Sequence, residues 1–326
     1  MFCFTILCSV QLNAQNGTDA TGVKKAIIDL AKKGDQKGVE NEIRNLEIII
    51  TGHGAKRKIA LELKDIANEL NQNEHSEASI LMSRKTISFA TDHFGSNDTI
   101  VGIANDYIGN NYLQLGQADS ALIYYDKATK VLKDNHVPAQ YAFSLIGKTV
   151  SHYYLNEIME MEKPLMEARD ISYHKATDNE DLRGLCSQLS GVLYDAIGDY
   201  DKAIELNKEA ISVNLSKPIP DSIILATDYN NLGAAYFTKG DFDLTNEYLE
   251  ESLKISQKLN IVDEGTLRVL VNLIFSYSQK NDVQNTKKYL KLGEEMIMDY
   301  PFLKNQFSYI SFLNAACYLH LDENDF

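Results

Sequence analysis

NNLGAAYFTKGDF, residues 230–242, reads as the end of one helix, a tight turn and the start of a second helix. Gly240 tolerates the left-handed backbone conformation that commonly ends a helix. The carboxylate of Asp241 can accept the free backbone amides at the start of the next helix. Within the first helix, the small residue Gly233 precedes Tyr236 by three positions. The segment therefore predicts an antiparallel helix pair.

The same spacing of a small residue and an aromatic residue recurs along the chain. The pairs are Gly109/Tyr112, the degenerate Thr149/His152, Gly191/Tyr194, Gly233/Tyr236, Ile274/Tyr277 and Ala315/Tyr318, and successive small positions lie 40, 42, 42, 41 and 41 residues apart. Seven residues after the small positions come the expected helix ends, Gly116, Asn156, Gly198, Gly240, Asn281 and Asp322, and beside the turns lie the expected caps, Asp119, Asp199, Asp241 and Asp282. A fixed period of this size is typical of one helix pair stacked many times.

Close helix approach is the expected role of the small positions. Ala121, Ala128, Ala203 and Ala210 fall on one face of the second helices. We expect the glycines to face these alanines, which permits helix axes to lie at the short end of the usual ~8–10 Å range. The repeat tyrosine is then expected to fill the groove beside the contact.

This pattern resembles the tetratricopeptide repeat over roughly residues 98–326, with a unit of about 41 residues instead of the family's usual length of about 34. The longer unit is similar to that of kinesin light chains and of sensory or regulatory regions in bacterial signalling proteins. The resemblance implies an all-α, right-handed solenoid, a superhelix of antiparallel helix pairs. The expected units are 98–137, 138–176, 180–217, 221–260, 263–300 and a partial unit at 302–326, preceded by divergent helical hairpins at 16–97. In the unit at Thr149, Met161 replaces an alanine and Pro164 predicts a kink or late start of the second helix.

Charge and hydropathy limit the partners and the location. The net charge of -14 opposes binding to nucleic acids and to anionic membrane surfaces. Residues 2–12 are mostly apolar and are followed by Asn13-Ala14-Gln15, so residues 1–15 predict a secretory signal cleaved after Ala14 and an exported, periplasmic or extracellular bacterial protein. The alternative is a cytoplasmic protein that keeps this segment. Beyond residue 16 no apolar run reaches the ~20 residues of a membrane-spanning helix, and Cys186 and Cys317 are expected to be buried free thiols.

The resemblance implies that the first helices line a concave groove for a protein or an extended peptide. Amide side chains would hydrogen-bond the peptide backbone there, and aromatic side chains would anchor its side chains. The alternative, that the aromatics pack between units and the amides are solvated, stays open. The groove residues expected by position are Asn110, Gln114, Tyr153, Tyr154, Gln188, Asn230, Phe237, Arg268, Asn272 and Phe275.

No motif predicts catalysis. The seven histidines are scattered, and the chain has no His-Glu-x-x-His pair, glycine-rich phosphate loop or Cys-x-x-Cys motif. We expect no catalytic residue, cofactor or metal. The sequence therefore predicts a non-enzymatic scaffold that binds a protein or peptide, is exported, and forms the sensory part of a longer signalling protein; the alternative is a cytoplasmic peptide-responsive regulator.

Overall fold

The computed structural model describes residues 20–324, and side chains for all of these except residue 307 and residues 318–324. The predicted signal segment lies outside the described residues. The described chain is all-α and divides into two compact units, one ending at Ile171 and one beginning at Ser172. Its helices are α1 (Ala20–Lys32), α2 (Gln36–Ile49), α3 (Ala55–Gln72), α4 (Ser76–Phe94), α5 (Thr99–Gln114), α6 (Ala118–Asp134), α7 (Pro138–Tyr154), α8 (Ile158–His174), α9 (Glu180–Ala196), α10 (Tyr200–Ser216), α11 (Ser222–Lys239), α12 (Phe242–Lys258), α13 (Glu264–Gln279), α14 (Val283–Asp299) and α15 (Phe307–Asn324), with a 3-10 turn at Pro301–Asn305.

Neighbouring helices in each unit pack as antiparallel pairs, so the fold is an all-α solenoid of stacked helix hairpins. Each pair buries its apolar face against the next pair, as repeat proteins require. In the first unit one continuous core joins α1–α4, and in the second unit cores join α10–α12 and α12–α15. Among residues 20–324 no helix combines the length and the apolarity needed to cross a membrane.

The turn inside each pair has the predicted left-handed residue. Gly116, Asn156, Gly198, Gly240 and Asn281 all have positive φ, between 56° and 87°. The amide of the following residue then donates to the carbonyl of the repeat aromatic, as from Asp241 to Tyr236 at 3.0 Å. This hydrogen bond is the Schellman closure of a helix end. The prediction is wrong for Asp322, because α15 continues through it to Asn324.

Aspartate caps begin three of the second helices as predicted. Asp199, Asp241 and Asp282 each accept a hydrogen bond from the backbone amide three residues on, at 3.1, 3.2 and 3.1 Å. The prediction is wrong for Asp119, which lies inside the first turn of α6. Gln117 occupies the cap position there and makes no capping side-chain bond.

The glycines face a different residue from the expected alanines. A Cβ atom added at Gly109, Gly191 or Gly233 would lie within 2.4 to 2.8 Å of Tyr125, Asn207 and Leu249 respectively. Each of these three residues follows its glycine by sixteen positions. It lies between the two alanine positions, about one helical turn from each. The alanines are buried as well, but the glycine makes room for the larger side chain.

Repeat tyrosines stack on a second tyrosine twelve residues later. The ring centroids are 5.5 to 5.6 Å apart in the pairs Tyr112–Tyr124, Tyr236–Tyr248 and Tyr277–Tyr289. Each pair joins the first helix of a hairpin to the second, at the offset-stacked distances that aromatic rings prefer. The tyrosine therefore fills the space between the two helices of its own pair, beside the turn.

The repeat geometry extends upstream of residue 98. Gly34 and Glu74 have positive φ, and the amides that follow them, Asp35 and His75, donate to the carbonyls of Leu30 and Leu70. The same closure therefore ends α1 and α3. The side chain of Asp35 also caps α2 by accepting from the amide of Gly38.

The pair α7–α8 carries the strongest departure from the repeat. α8 begins nine residues after Thr149, as second helices do elsewhere, and runs without interruption through Pro164, so the expected late start is wrong. Met161 is fully buried at the alanine position. Elsewhere Cys186 is a buried free thiol as expected, whereas the expectation is wrong for Cys317, which is exposed.

Candidate functional site

The expected groove residues lie on the first helices of successive pairs. In the first unit these are α5 and α7, and in the second unit α9, α11 and α13; within each unit consecutive first helices contact one another. Asn110 and Gln114 lie on α5, Tyr153 and Tyr154 on α7, Gln188 on α9, Asn230 and Phe237 on α11, and Arg268, Asn272 and Phe275 on α13.

In the first unit the two expected amide side chains are engaged internally. Asn110 accepts from the hydroxyl of Tyr125 at 2.7 Å and donates to Asp106 at 3.1 Å. Gln114 accepts from the hydroxyl of Ser76 at 2.7 Å. The bonds from Tyr125 and Ser76 join α5 to α6 and α4, so neither amide oxygen needs a ligand.

Tyr153 and Tyr154 form an exposed aromatic pair at the end of α7. Their side chains are 44% and 68% accessible, and their rings meet edge to face with centroids 5.8 Å apart. Exposed neighbouring tyrosines are suited to anchoring a partner because they offer large area at low entropic cost.

A polar rung joins consecutive first helices in both units, and sequence reasoning did not find it. Asp106 on α5 accepts from Ser144 on α7 at 2.5 Å, and Gln188 on α9 donates to Asp228 on α11 at 2.7 Å. Asp106 and Gln188 lie three residues before the small position of their own repeat. Their partners, Ser144 and Asp228, lie five residues before the small position of the next repeat. Polar residues at these two offsets are the signal that would have revealed the rung.

Asp106 is half-buried and Asp228 is buried, and the loss of solvent disfavours ionisation of both carboxylates. Burial raises the pKa of Asp106 to about 6, although the hydrogen bonds from Ser144 and Asn110 oppose the rise. Burial likewise raises the pKa of Asp228 to about 6, against the opposing bond from Gln188. The second oxygen of Asp228 has no hydrogen-bond partner among the described residues.

A small cavity of about 50 Å³ lies between α11, α12 and α13 and brings two expected groove residues together. Asn230 and Arg268 both line it, with Thr227 and Ser252 beside them. Asn230 is only 5% exposed, and its amide oxygen lacks a hydrogen-bond donor in the described part of the chain. Because an unsatisfied buried acceptor costs about 1–3 kcal/mol, this oxygen is a ready site for an N–H donor.

The remaining expected residues differ in their surroundings. Phe237 is half-buried and meets Phe242 edge to face at 5.7 Å. Phe275 is half-buried and packs on the core of α12–α15. Asn272 is half-buried four residues beyond the exposed Arg268. The aromatic side chains on α11 and α13 thus serve packing with part of their surface and leave part accessible.

No cluster of three or more His, Cys, Asp or Glu side chains in the described residues could hold a metal ion. The expected groove residues are amides, one arginine and aromatic residues. Such groups suit the binding of a peptide by hydrogen bonds and packing.

Two tetratricopeptide repeat family models match the sequence, at residues 108–134 and 183–258. No curated protein matches it. Each of the two matched segments contains the small residue or tyrosine, the left-handed turn and the start of the second helix described above.

Several solved structures are similar in fold. NprR in complex with its cognate peptide NprX is 14% identical, with 92% of this chain and 84% of NprR covered and a TM-score of 0.60. The apo form of RapI is 13% identical over 92% of this chain and 86% of RapI, with a TM-score of 0.62. A signal transduction ATPase with numerous domains from Pyrococcus horikoshii, which has a tetratricopeptide repeat sensor, is 16% identical over 94% of this chain and 48% of the ATPase, with a TM-score of 0.61. At these identities the likeness is one of fold, and the two family models identify tetratricopeptide repeats at residues 108–134 and 183–258 of this chain.

Proposed function

We propose that the second unit binds an extended peptide, or an extended segment of a partner protein, along α9, α11 and α13. The observation that carries the proposal is Asn230, which lines a cavity together with Arg268 and whose buried amide oxygen lacks a donor among the described residues. A peptide N–H supplies the missing donor. The exposed guanidinium of Arg268 then meets a carboxylate, either of an acidic side chain or of a peptide C-terminus.

Resemblance to known regulators supports the same choice of ligand. NprR is similar in fold and has been solved with its cognate peptide. The repeat is typically a scaffold for binding, and its first helices present the groups described above. We further propose that binding is a sensing step, by analogy with the sensor of the Pyrococcus horikoshii ATPase.

Panning a random peptide library against the full chain tests the proposal. The expected result is enrichment of acidic peptides that bind the wild-type protein and bind Arg268→Ala at least about tenfold more weakly. Lys202→Ala is the matched control and should leave binding unchanged; Lys202 is a half-exposed lysine on α10 paired with Glu205. Failure to enrich any sequence, or equal binding by both variants, would reject α9, α11 and α13 as the peptide site.

Asn230→Ala separates a binding role from a structural one. Removing an unsatisfied buried acceptor should leave the thermal midpoint unchanged or raise it, because the oxygen costs stability when it has no donor. Peptide affinity should fall. A lowered midpoint with unchanged affinity would show that Asn230 serves packing.

Export is proposed on the composition of residues 2–14 alone. N-terminal sequencing of the protein purified from its native host should find Gln15 as the first residue. Recovery of Phe2 or Met1 at the N-terminus of the mature protein would instead support a cytoplasmic regulator.

A further inference from the structure

A second, larger pocket lies in the first unit, between α6, α7 and α8. Its volume is about 480 Å³, within the range of small-molecule sites. It shares no residue with the cavity on which the peptide proposal rests. Its walls combine the apolar side chains of Leu122, Leu145 and Pro164 with several lysines.

The pocket lies where the repeat lacks its aromatic pair. In three other helix pairs, tyrosines three and fifteen residues after the small position stack on each other, and in the pair α9–α10 the same positions hold Tyr194 and the buried Leu206. In α7–α8 these positions hold His152 and Pro164, and both line the pocket. Two large rings are thus replaced by two smaller side chains, which leaves space for a ring from outside the chain.

A lysine also stands at a position that is apolar in three other pairs. The residue just before the small position is fully buried there, as Ile108, Leu232 and Leu273. Lys148 takes this position in α7, lines the pocket and pairs with Asp126 at 2.6 Å. The lysine and the missing ring pair are therefore departures from the repeat that converge on one cavity.

The charges at the pocket leave a net positive excess. Lys133 pairs with Glu167 at 3.0 Å, and Lys148 with Asp126. Lys130 and Lys163 also line the pocket; neither makes an ion pair among the described residues, although Lys163 acts electrostatically on Glu167. Glu160 is the one lining carboxylate of the described chain without an ion pair. Two lysines against one carboxylate, in a chain of net charge -14, favour a ligand with a single negative charge.

We propose that this pocket binds a small aromatic carboxylate. The aromatic ring occupies the space that the repeat tyrosines fill in other helix pairs. The carboxylate is held by Lys130 and Lys163. Both side chains are exposed, and neither has to leave an ion pair of the described chain to reach the ligand.

Titration of the full chain with 3-phenylpropionate, followed by ligand-observed NMR and calorimetry, tests the proposal. We expect saturable binding, and binding weaker by at least about tenfold for 3-phenylpropionamide, which lacks the charge, and for acetate, which lacks the ring. Inorganic phosphate as a fourth probe distinguishes a general anion site. Equal binding of phosphate and 3-phenylpropionate, or no saturable binding of 3-phenylpropionate, overturns the proposal.

Two variants locate the binding. Lys130→Gln/Lys163→Gln should weaken 3-phenylpropionate by at least about tenfold, whereas Lys254→Gln, an exposed lysine on α12, should not. His152→Tyr/Pro164→Tyr rebuilds the aromatic pair of the other repeats and restores a helix hydrogen bond. It should abolish 3-phenylpropionate binding while keeping or raising the thermal midpoint. Unchanged binding by this refilled variant places the ligand elsewhere and refutes the site.

Discussion

Gly147→Ala should destabilise the first unit, because the Tyr125 ring lies between two glycines. An added Cβ at Gly147 would come within 2.3 Å of two ring carbons, and one at Gly109 on the neighbouring first helix within 2.8 Å. The ring is fully buried, and its hydroxyl is fixed on Asn110 at 2.7 Å. It therefore cannot retreat without losing that hydrogen bond or contacting the other helix.

The expected size of the effect follows from two opposing terms. Overpacking in a closely packed core costs about 1–3 kcal/mol, while replacing a helical glycine by alanine gains roughly 0.5–1 kcal/mol. We expect a net loss of about 1–2 kcal/mol. Gly184→Ala is the matched control, because its added Cβ meets only Val213 at 3.6 Å; it should gain roughly 0.5–1 kcal/mol.

Urea unfolding followed by circular dichroism measures both variants, with midpoints compared because a repeat array need not unfold in one step. A third variant tests the cause. Leucine stands at the position of Tyr125 in other pairs, as in Leu165 and Leu249, so Tyr125→Leu should remove most of the cost of Gly147→Ala. Additive effects of the two changes, or equal midpoints for the two glycine variants, would refute the packing argument.

Three further predictions concern single polar side chains. Asp228→Asn should raise the free energy of unfolding at pH 7.5 by up to roughly 3 kcal/mol, and should have no such effect at pH 4. Burial raises the pKa of Asp228 from 3.8 to about 6, so ionisation of Asp228 lowers stability as the pH rises through this interval. The same difference between wild-type and variant midpoints at both pH values would contradict this. Glu250→Gln should lower the pKa of both Tyr277 and Tyr289, because burial and, after it, the hydrogen bonds to Glu250 raise these pKa values. Absorbance titration of the phenolates measures the two pKa values, and the control Glu251→Gln should leave them unchanged. Gln117→Asp should stabilise by about 0.5–1 kcal/mol by adding the cap that α6 lacks and α10 and α12 possess; a thermal midpoint that does not rise would show that the amides of the first turn are already satisfied.

The helix pairs could be predicted because their determinants are local. Gly240 and Asp241 specify a helix end and a cap within two residues, whatever packs around them. Repetition then turned a weak motif into a strong one. The helix pairs upstream of residue 98 were harder to align with the later repeats because Leu30 and Leu70 replace the repeat tyrosine. Gly34-Asp35 nevertheless repeats Gly198-Asp199 and is sufficient to align α1 and α2 with the later pairs.

The partner of each glycine could not be predicted, because it depends on the rotation of the second helix. Alanine positions define a face, but the residue at the centre of that face varies among Tyr125, Asn207 and Leu249. No composition rule recognises a set of such different side chains. The same limit applies to the candidate site: Asn110, Gln188 and Asn230 read alike in the sequence, and only the fold determines that two of them are satisfied and the third is not.

Both proposed sites lie where one repeat departs from its neighbours. In a stacked array each pair contacts only the adjacent pairs, so a local loss of packing or an unsatisfied polar group costs stability locally and leaves distant pairs unaffected. Asp106 and Gln188, three residues before the small residue, are hydrogen-bonded to the next first helix, whereas Asn230 at the same offset in α11 keeps an unsatisfied oxygen in the described chain. The ring pair of α5–α6 likewise has His152 and Pro164 as its counterparts in α7–α8. Substitutions that restore the repeat should therefore raise stability and remove binding at the same residues, which is the reverse of what a purely structural role predicts.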